Sequence, residues 1–402
     1  MTTPVEYPAL YLKRGEDARL RAGHLWVFAN EVDVARSPLA SFQPGDGCAI
    51  VDARDEPLGV GYVNPHSLIC ARLVARGLDH PLDASLLVHR LQVALALRER
   101  LYAEPYYRLL YGESDGVPGL TLDRFDDVVV AQATTAGIER LKPAVEAAVK
   151  RLIDPRALIW RNDAGIRELE GLDRYAEVGF GAAPDALRVR EGGLEFAIAA
   201  TGGQKTGWFY DQRANRDALA PFVKGARVLD VFAYLGAWGL RAAAMGAREV
   251  VCVDASASAV ARIGQNAARN GLAERVRAER ADAFEWLKGA RDRREHFDVV
   301  VLDPPAFVKR RKDFREGALA YRRINEMAMQ VLARDGILFT CSCSYHMPRT
   351  ALLDAVQKGA RHLDRGVQVF QQLQQAPDHP VHPAIPETEY LKGFVCRVLP
   401  AT

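Results

Sequence analysis

Nothing in this sequence is built to cross a membrane or to be cross-linked. No apolar run in the 402 residues approaches the roughly 20 needed to span a bilayer, and the opening MTTPVEYPALYLKRGED lacks the basic-then-apolar pattern of an export signal. A cytoplasmic protein without membrane contact is therefore expected. Cysteine is scarce: Cys48, Cys70, Cys252, Cys341, Cys343 and Cys396 form neither a disulfide framework nor paired CxxC knuckles, so reduced thiols and no metal are expected. The Cys341-Ser-Cys343 pair has no further Cys or His at finger-like spacing to complete a zinc site. The formal charge of +2 is too small to identify a nucleic-acid partner by its sum. Internal repeats, low-complexity tracts and a Gly-x-Gly-x-x-Gly turn are also missing.

The length asks for more than one hydrophobic core, and two or three domains are expected. Residues 1–76 hold short apolar runs broken by turn signals, as in QPGDGCAIVDARDEPLGVGYVN, and read as a small, mostly β module. Residues 77–188 open on SLLVHRLQVALALRERL, whose leucines and valines recur at helical spacing. Strand-like runs in GLTLDRFDDVVVAQAT, a second helix in IERLKPAVEAAVKRL and a strand pair from ALIWRND complete an α+β middle domain. Over 189–402, strand and helix alternate through ARVLDVFA, EVVCVDA, FDVVVLDPPA and GILFTCSCS. That pattern indicates α/β architecture with a mainly parallel, Rossmann-like sheet, whose ligands bind beyond the C-terminal strand ends.

The first of these strands runs into Asp230-Val-Phe232-Ala-Tyr234-Leu-Gly236, a turn that lets backbone N–H groups approach a ligand at a helix N-terminus. Without the dinucleotide glycine pattern, a nicotinamide cofactor with its pyrophosphate fits poorly. The second strand ends at Asp254, placed for ribose hydroxyls, and Asp282 follows the next short strand, placed for an adenine amino group. Three acidic strand ends without a phosphate-binding signature suit a cationic, phosphate-free nucleoside, which describes S-adenosylmethionine. The alternative is that these aspartates merely cap helices. Upstream, TGGQKTGWFYDQRANR gathers Gln204, Lys205, Thr206, Phe209, Asp211 and Arg213, able to stack on and hydrogen-bond a nucleoside or, equally, to form a solvated loop.

The fourth strand ends in Asp303-Pro304-Pro305-Ala-Phe307, a stiff turn able to hold an aspartate and a ring beside a flat base. The fifth runs into Cys341-Ser342-Cys343-Ser344. Cytosine C5 is a poor nucleophile, and a thiolate adding at C6 makes it electron-rich enough to take a methyl group, whereas amino-group methylation needs no thiol. A strand-end thiol opposite the Asp-Pro-Pro turn favours carbon chemistry, with Asp303 at the N3/N4 edge of the base. Cys343 lies farther past the strand than Cys341, whose side chain should face away or support the loop. Lys309, Arg310 and Arg311, with Lys312, Phe314, Arg315 and the cluster Tyr321-Arg322-Arg323, interleave cations with aromatics as an RNA backbone and unstacked bases require. A solvated helix face is the competing reading. Late in the chain, His379 either lines the site or caps a turn.

In this order the clusters resemble the RlmI-type ribosomal RNA large-subunit methyltransferases. The resemblance runs from LKRGEDARLRAGHLWVFANEV through GESDGVPGLTLDRFDD, GQKTGWFYDQRANR, VLDVFAYLGAWG and LDPPAFVK to SCS and APDHPVHPAIPETEYLKGFVCRV. It implies a PUA-like RNA-binding domain at 1–76, a central α+β domain at 77–188 and a class I methyltransferase domain at 189–402. It further implies S-adenosylmethionine as cofactor, C5 methylation of a cytosine in 23S ribosomal RNA, and the cysteine of SCS, Cys343, as nucleophile, with Cys341, an extra thiol beside it, as the alternative nucleophile. The loop Tyr234-Leu235-Gly236-Ala237-Trp238 departs from the Thr-Gly-Gly-Phe type more usual there. Competing activities are N-methylation of a guanine or adenine amino group and a non-catalytic RNA-binding assembly factor; a homodimer is left open.

Overall fold

In a computed structural model, which describes residues 6–199 and 207–400, the chain divides into two compact units. Of the described residues, the first comprises 6–187, 199, 207–210 and 377–388; the second comprises 188–198, 211–376 and 389–400. Among the described residues no helix is long and apolar enough to cross a membrane.

Two five-stranded sheets build the first unit. In the earlier one, Ala9–Tyr11 runs parallel to Asp46–Val51, and Pro57–Val63, Ile69–Ala75 and Trp26–Phe28 continue the sheet antiparallel over a core that includes Leu10, Val27, Ile50 and Val63. The later sheet lays Tyr106–Tyr111, Leu120–Phe125, Val128–Ala133, Ala157–Asn162 and Tyr175–Gly181 side by side in chain order. The helix Ala84–Leu101 starts where Asp83 accepts from the Ser85 and Leu86 amides, and it buries Leu87 and Leu91 against this sheet. The second expected helix breaks into Ala136–Arg140 and Lys142–Leu152, because Pro143 has no N–H to continue the ladder and instead suits a first helical turn. Segment 377–388 also folds here: Arg98 donates to the Asp378 carbonyl (2.8 Å), the Arg108 amide to the Asp378 carboxylate (2.9 Å) and the Tyr111 hydroxyl to Thr388 O (3.0 Å). His379 is buried beside Asp378 in this first unit.

A seven-stranded sheet organises the second unit: β1 (Arg227–Val231), β2 (Glu249–Asp254), β3 (Val276–Arg280), β4 (Phe297–Leu302), β5 (Leu332–Ser342), β6 (Arg365–Gln374) and β7 (Lys392–Pro400). Their order is β3-β2-β1-β4-β5-β7-β6. The first five are parallel, while β7 runs antiparallel to β5 and to β6. Helices α1 (Ala237–Ala244), α2 (Ala257–Arg269), α3 (Ala283–Asp292), α4 (Phe314–Gln330) and α5 (Arg349–His362) follow β1 to β5 in turn. β1, β2 and β4 are mostly buried and apolar, interrupted by Asp230 in β1 and Asp298 in β4, because helices cover both faces of a parallel sheet. Strand order reverses between β1 and β4, so the crevice beyond their C-terminal ends is the place for a ligand. This is the Rossmann-like α/β sheet expected from the alternating pattern. The antiparallel pair β6 and β7 was not anticipated; β6, RGVQVFQQLQ, is a polar and largely exposed edge strand.

Candidate active site

After β1 the backbone takes left-handed conformations at two residues with side chains, Phe232 (φ 64°) and Tyr234 (φ 51°). Each costs on the order of 1–3 kcal/mol and persists only where its surroundings over-determine it. Here carboxylates supply the restraint. Asp254 Oδ2 accepts from the Tyr234 amide and Oδ1 from the Ser256 amide, both at 2.8 Å. Asp230 Oδ2 accepts from the Gly239 amide at 2.9 Å, inside the first turns of α1. A β-carbon on Gly239 would run into Cys252 Sγ and come within 3.2 Å of Asp230 Oδ2, so only glycine fits.

Asp230 has no exposed surface, and its Oδ1 accepts no hydrogen bond from the described residues. Burial pushes its carboxyl up to about 7, the nearby Asp303 and Asp254 charges adding to the effect against the Gly239 hydrogen bond. A buried carboxylate oxygen lacking a donor, beside a second carboxylate and a backbone-lined turn, suits a ligand that brings positive charge and N–H groups and repels a phosphate. S-adenosylmethionine meets those requirements.

The other expected cofactor residues are less alike. Asp282 is exposed and caps α3, its Oδ1 accepting from the Phe284 and Glu285 amides at 2.9 and 3.1 Å. Asp211 is buried and accepts from the Tyr390 hydroxyl. Arg213 Nε lies 3.6 Å from Glu191, which also takes both arms of the buried Arg216 at 2.6 and 2.8 Å. Phe209 belongs to the first unit, whereas Asp211 and Arg213 belong to the second. Gln204, Lys205 and Thr206 lie outside the described residues.

The expected acceptor residues begin at Asp303, immediately after β4. Gln212 Nε2 donates to its Oδ1 at 2.8 Å and Trp238 Nε1 to its Oδ2 at 3.0 Å, which fixes the carboxylate plane. Burial pushes this carboxyl up to about 6, with the Asp211 charge adding and the Trp238 and Gln212 hydrogen bonds and Arg216 opposing. Pro304 is buried and Pro305 exposed. The Phe307 ring is half-buried against Phe232, Phe284 and Tyr321, with centroids 6.2, 6.3 and 4.8 Å away. Cys343, partly exposed, places its Sγ 3.9 Å from the Pro304 carbonyl oxygen. The thiol and the Asp-Pro-Pro turn therefore stand side by side.

Cys341 lies in a different environment. It has no exposed surface, and burial followed by the Asp303 charge pushes its thiol well above the usual range, holding it protonated. The serines flanking Cys343 are clamped from below: the Ser342 hydroxyl donates to the Tyr321 hydroxyl (2.8 Å), which lies 2.9 Å from Ser344 Oγ, and Ser344 Oγ accepts from the Val308 amide (3.1 Å). Lys392, at the start of β7, is buried and donates to Ser344 O at 2.7 Å. Burial pulls its ammonium down to about 8, and the Cys343 charge opposes that shift.

Tyr321 corrects one expectation. Placed by its sequence among RNA-facing aromatics, it has no exposed surface and instead positions the Ser-Cys-Ser loop. Lys309, Arg310 and Arg311 are exposed, and Arg310 pairs with Asp313 at 3.0 Å. Gln212, Trp238 and Lys392 were missed as site residues. All three lie inside the motifs quoted above, but an amide, an indole and a lysine carry no signature of partner until the fold brings Asp303 and Ser344 to them.

Two family models match the chain: a PUA-like domain over residues 10–76 and an S-adenosylmethionine-dependent methyltransferase over 172–392. Together with the sheet order and the strand-tip carboxylates, they define an S-adenosylmethionine-dependent methyltransferase with an N-terminal PUA-like domain. Similarity reaches further than the class. The ribosomal RNA large subunit methyltransferase I of Erwinia tasmaniensis is 36% identical over 398 residues, covering 97% of this chain and 99% of that protein. Its namesake from Cronobacter sakazakii is 37% identical over 396 residues, with 97% and 99% covered. The chain belongs to the ribosomal RNA large subunit methyltransferase I family. Its fold also matches the crystal structure of SMU.776 complexed with SAH, with a TM-score of 0.83 at 19% identity over 97% of this chain and 100% of that one.

Proposed function

We propose that this methyltransferase acts on C5 of a cytosine in 23S ribosomal RNA, with Cys343 as a transient nucleophile. The observation that carries the reading is the Cys343 sulfur 3.9 Å from the Pro304 carbonyl, beside the braced carboxylate of Asp303. The relatives' name supports ribosomal RNA as the substrate, and the PUA-like domain supports RNA binding.

Asp230, Asp254 and the backbone from Phe232 to Gly236 hold the donor, with Asp282 one strand beyond for the adenine end. Asp211 and Arg213 complete its surroundings, while Gln204, Lys205 and Thr206, expected with them, lie outside the described residues. When bound, S-adenosylmethionine supplies the methyl group. The Cys343 thiolate forms a bond to C6 of the base, and the displaced electron pair makes C5 nucleophilic. Ionised Asp303 accepts a hydrogen bond from the N4 amino group and holds the ring flat against Pro304, Pro305 and Phe307. Once C5 carries the methyl group, its proton leaves to a base, the electron pair of that bond restores the double bond, and the sulfur departs from C6. Lys309, Arg310 and Arg311 neutralise phosphates of the RNA strand. Cys341, held protonated, supports the strand.

The test is mass analysis of nucleosides from protein-free 23S ribosomal RNA incubated with enzyme and donor. 5-Methylcytidine is expected, and its loss in Cys343→Ala. A methylated guanine or adenine amino group would sink the carbon assignment, and an active Cys343→Ala would sink the thiol mechanism.

A further inference from the structure

We propose that a cleft beside the Cys343 loop is a stacking subsite for one nucleotide neighbouring the target cytosine in the same RNA strand; this rests on the RNA activity proposed above. The cleft has a volume of about 730 Å³ and is lined mainly by Arg311, Phe314, Tyr345, His346, Arg349 and Lys392. That volume suits a single nucleotide and is too small for a helical segment.

Its composition is unusual for this molecule. Phe314, Tyr345 and Phe370, exposed by 38%, 41% and 47%, are the aromatic side chains that face water most among the described residues, and the first two share this cleft. They come from separate elements: Phe314 opens α4 and Tyr345 follows β5 by three residues. The His346 ring meets the Tyr345 ring edge-on, with centroids 5.1 Å apart. Exposed aromatic faces stack on any base, because every base offers a π-face. Around them stand three cations, Arg311, Arg349 and Lys392, and one lining carboxylate, Glu389, 3.7 Å from Arg349. A net positive, aromatic cleft takes an unstacked base together with its phosphate.

Lys392 ties the cleft to the chemistry. It lines the cleft, and the same ammonium donates to Ser344 O, the residue after the nucleophile. Neither Asp303 nor Cys343 lines the cleft, so a base stacked there is not the one under attack. A neighbour held in this way keeps the target base splayed out, contributing to RNA affinity and to a preference for what flanks the cytosine.

The experiment measures methyl transfer to protein-free 23S ribosomal RNA by wild type, Tyr345→Ala, Tyr345→Phe and Phe314→Ala, with S-adenosylmethionine binding as the control for folding. Loss of one stacking platform is worth roughly tenfold in affinity. Tyr345→Ala and Phe314→Ala should each raise KM for RNA about tenfold with little change in kcat, and Tyr345→Phe should restore it. Should Tyr345→Ala lose donor binding through misfolding, Phe314→Ala on the other element gives the answer alone. Wild-type KM in both alanine variants, or equal impairment in Tyr345→Phe and Tyr345→Ala, overturns the subsite. Absence of wild-type transfer overturns the proposed activity and the subsite with it.

Discussion

The two halves of the strand-tip edge are built in different ways. On the proposed donor side, at β1 and β2, carboxylates of Asp230 and Asp254 hold main-chain amides, and two left-handed residues bend the backbone into a turn. On the proposed acceptor side, at β4 and β5, side chains brace other side chains: Gln212 and Trp238 hold Asp303, and Tyr321 holds the serines around Cys343. A donor common to many reactions is met by the path of the chain, which single side-chain changes alter little. The proposed acceptor chemistry would rest on individual side chains, so replacing one there should change the reaction before it changes the fold.

The sharpest test of this contrast is the cysteine pair. Cys343→Ala should lower methyl transfer by at least about 10³-fold while leaving the Kd for S-adenosylmethionine within about twofold, as read by titration calorimetry. Cys341→Ala, two residues away, should keep transfer within roughly tenfold and cost about 1 kcal/mol of stability in urea unfolding, since it removes only a buried, protonated thiol. Reversal of these two phenotypes would exchange the roles of the sulfurs.

On the donor side the corresponding change is in the backbone. Gly239→Ala forces a β-carbon against Cys252 and Asp230, and it should cost about 1–3 kcal/mol and weaken donor binding severalfold. Gly264→Ala in α2, where a β-carbon meets nothing within 4 Å, is the control and should stabilise by roughly 0.5–1 kcal/mol. If both variants bind donor equally well, the turn is not the cradle.

A smaller effect should appear with pH. The Asp230 carboxyl, pushed up to about 7, is half protonated near neutrality. A cationic donor favours the ionised form, so affinity rises with pH through 7 and falls on the acid side. The Kd at pH 6 should exceed that at pH 8 by about tenfold, the ratio of the ionised fractions. Asp230→Asn should flatten the profile. A wild-type Kd independent of pH over this interval would mean that Asp230 does not face the positive charge.

Much of this edge could be read from the sequence because it lies at strand ends, where an apolar run stops abruptly at Asp230, Asp254 or Asp303. The sheet was legible for a related reason: strands covered on both faces, such as β2 and β4, are rich in valine. What escaped reading depends on contacts distant in sequence. Trp238 meets Asp303 across 65 residues and Lys392 meets Ser344 across 48, and neither spacing leaves a local pattern. Tyr321 was misread because its neighbours Arg322 and Arg323 look like surface, while the helix turns the tyrosine inward. Strand β6 has too little apolar alternation to announce itself, being an exposed edge.

Trp238 joins the two halves, since it sits in α1 on the donor side and donates to Asp303 on the acceptor side. Its N–H favours the ionised carboxylate, so Trp238→Phe should move the Asp303 carboxyl above its present value of about 6. At saturating donor, which removes the contribution of Asp230, the acid limb of kcat/KM should shift upward by about half to one pH unit. Near pH 8, where Asp303 is ionised in both proteins, the rates should differ by only a fewfold. Asp303→Asn should abolish that limb together with most of the activity. An unmoved limb in Trp238→Phe would mean that acid inactivation reports another group, and that the indole joins the two halves through packing on Phe339 rather than through the carboxylate it touches.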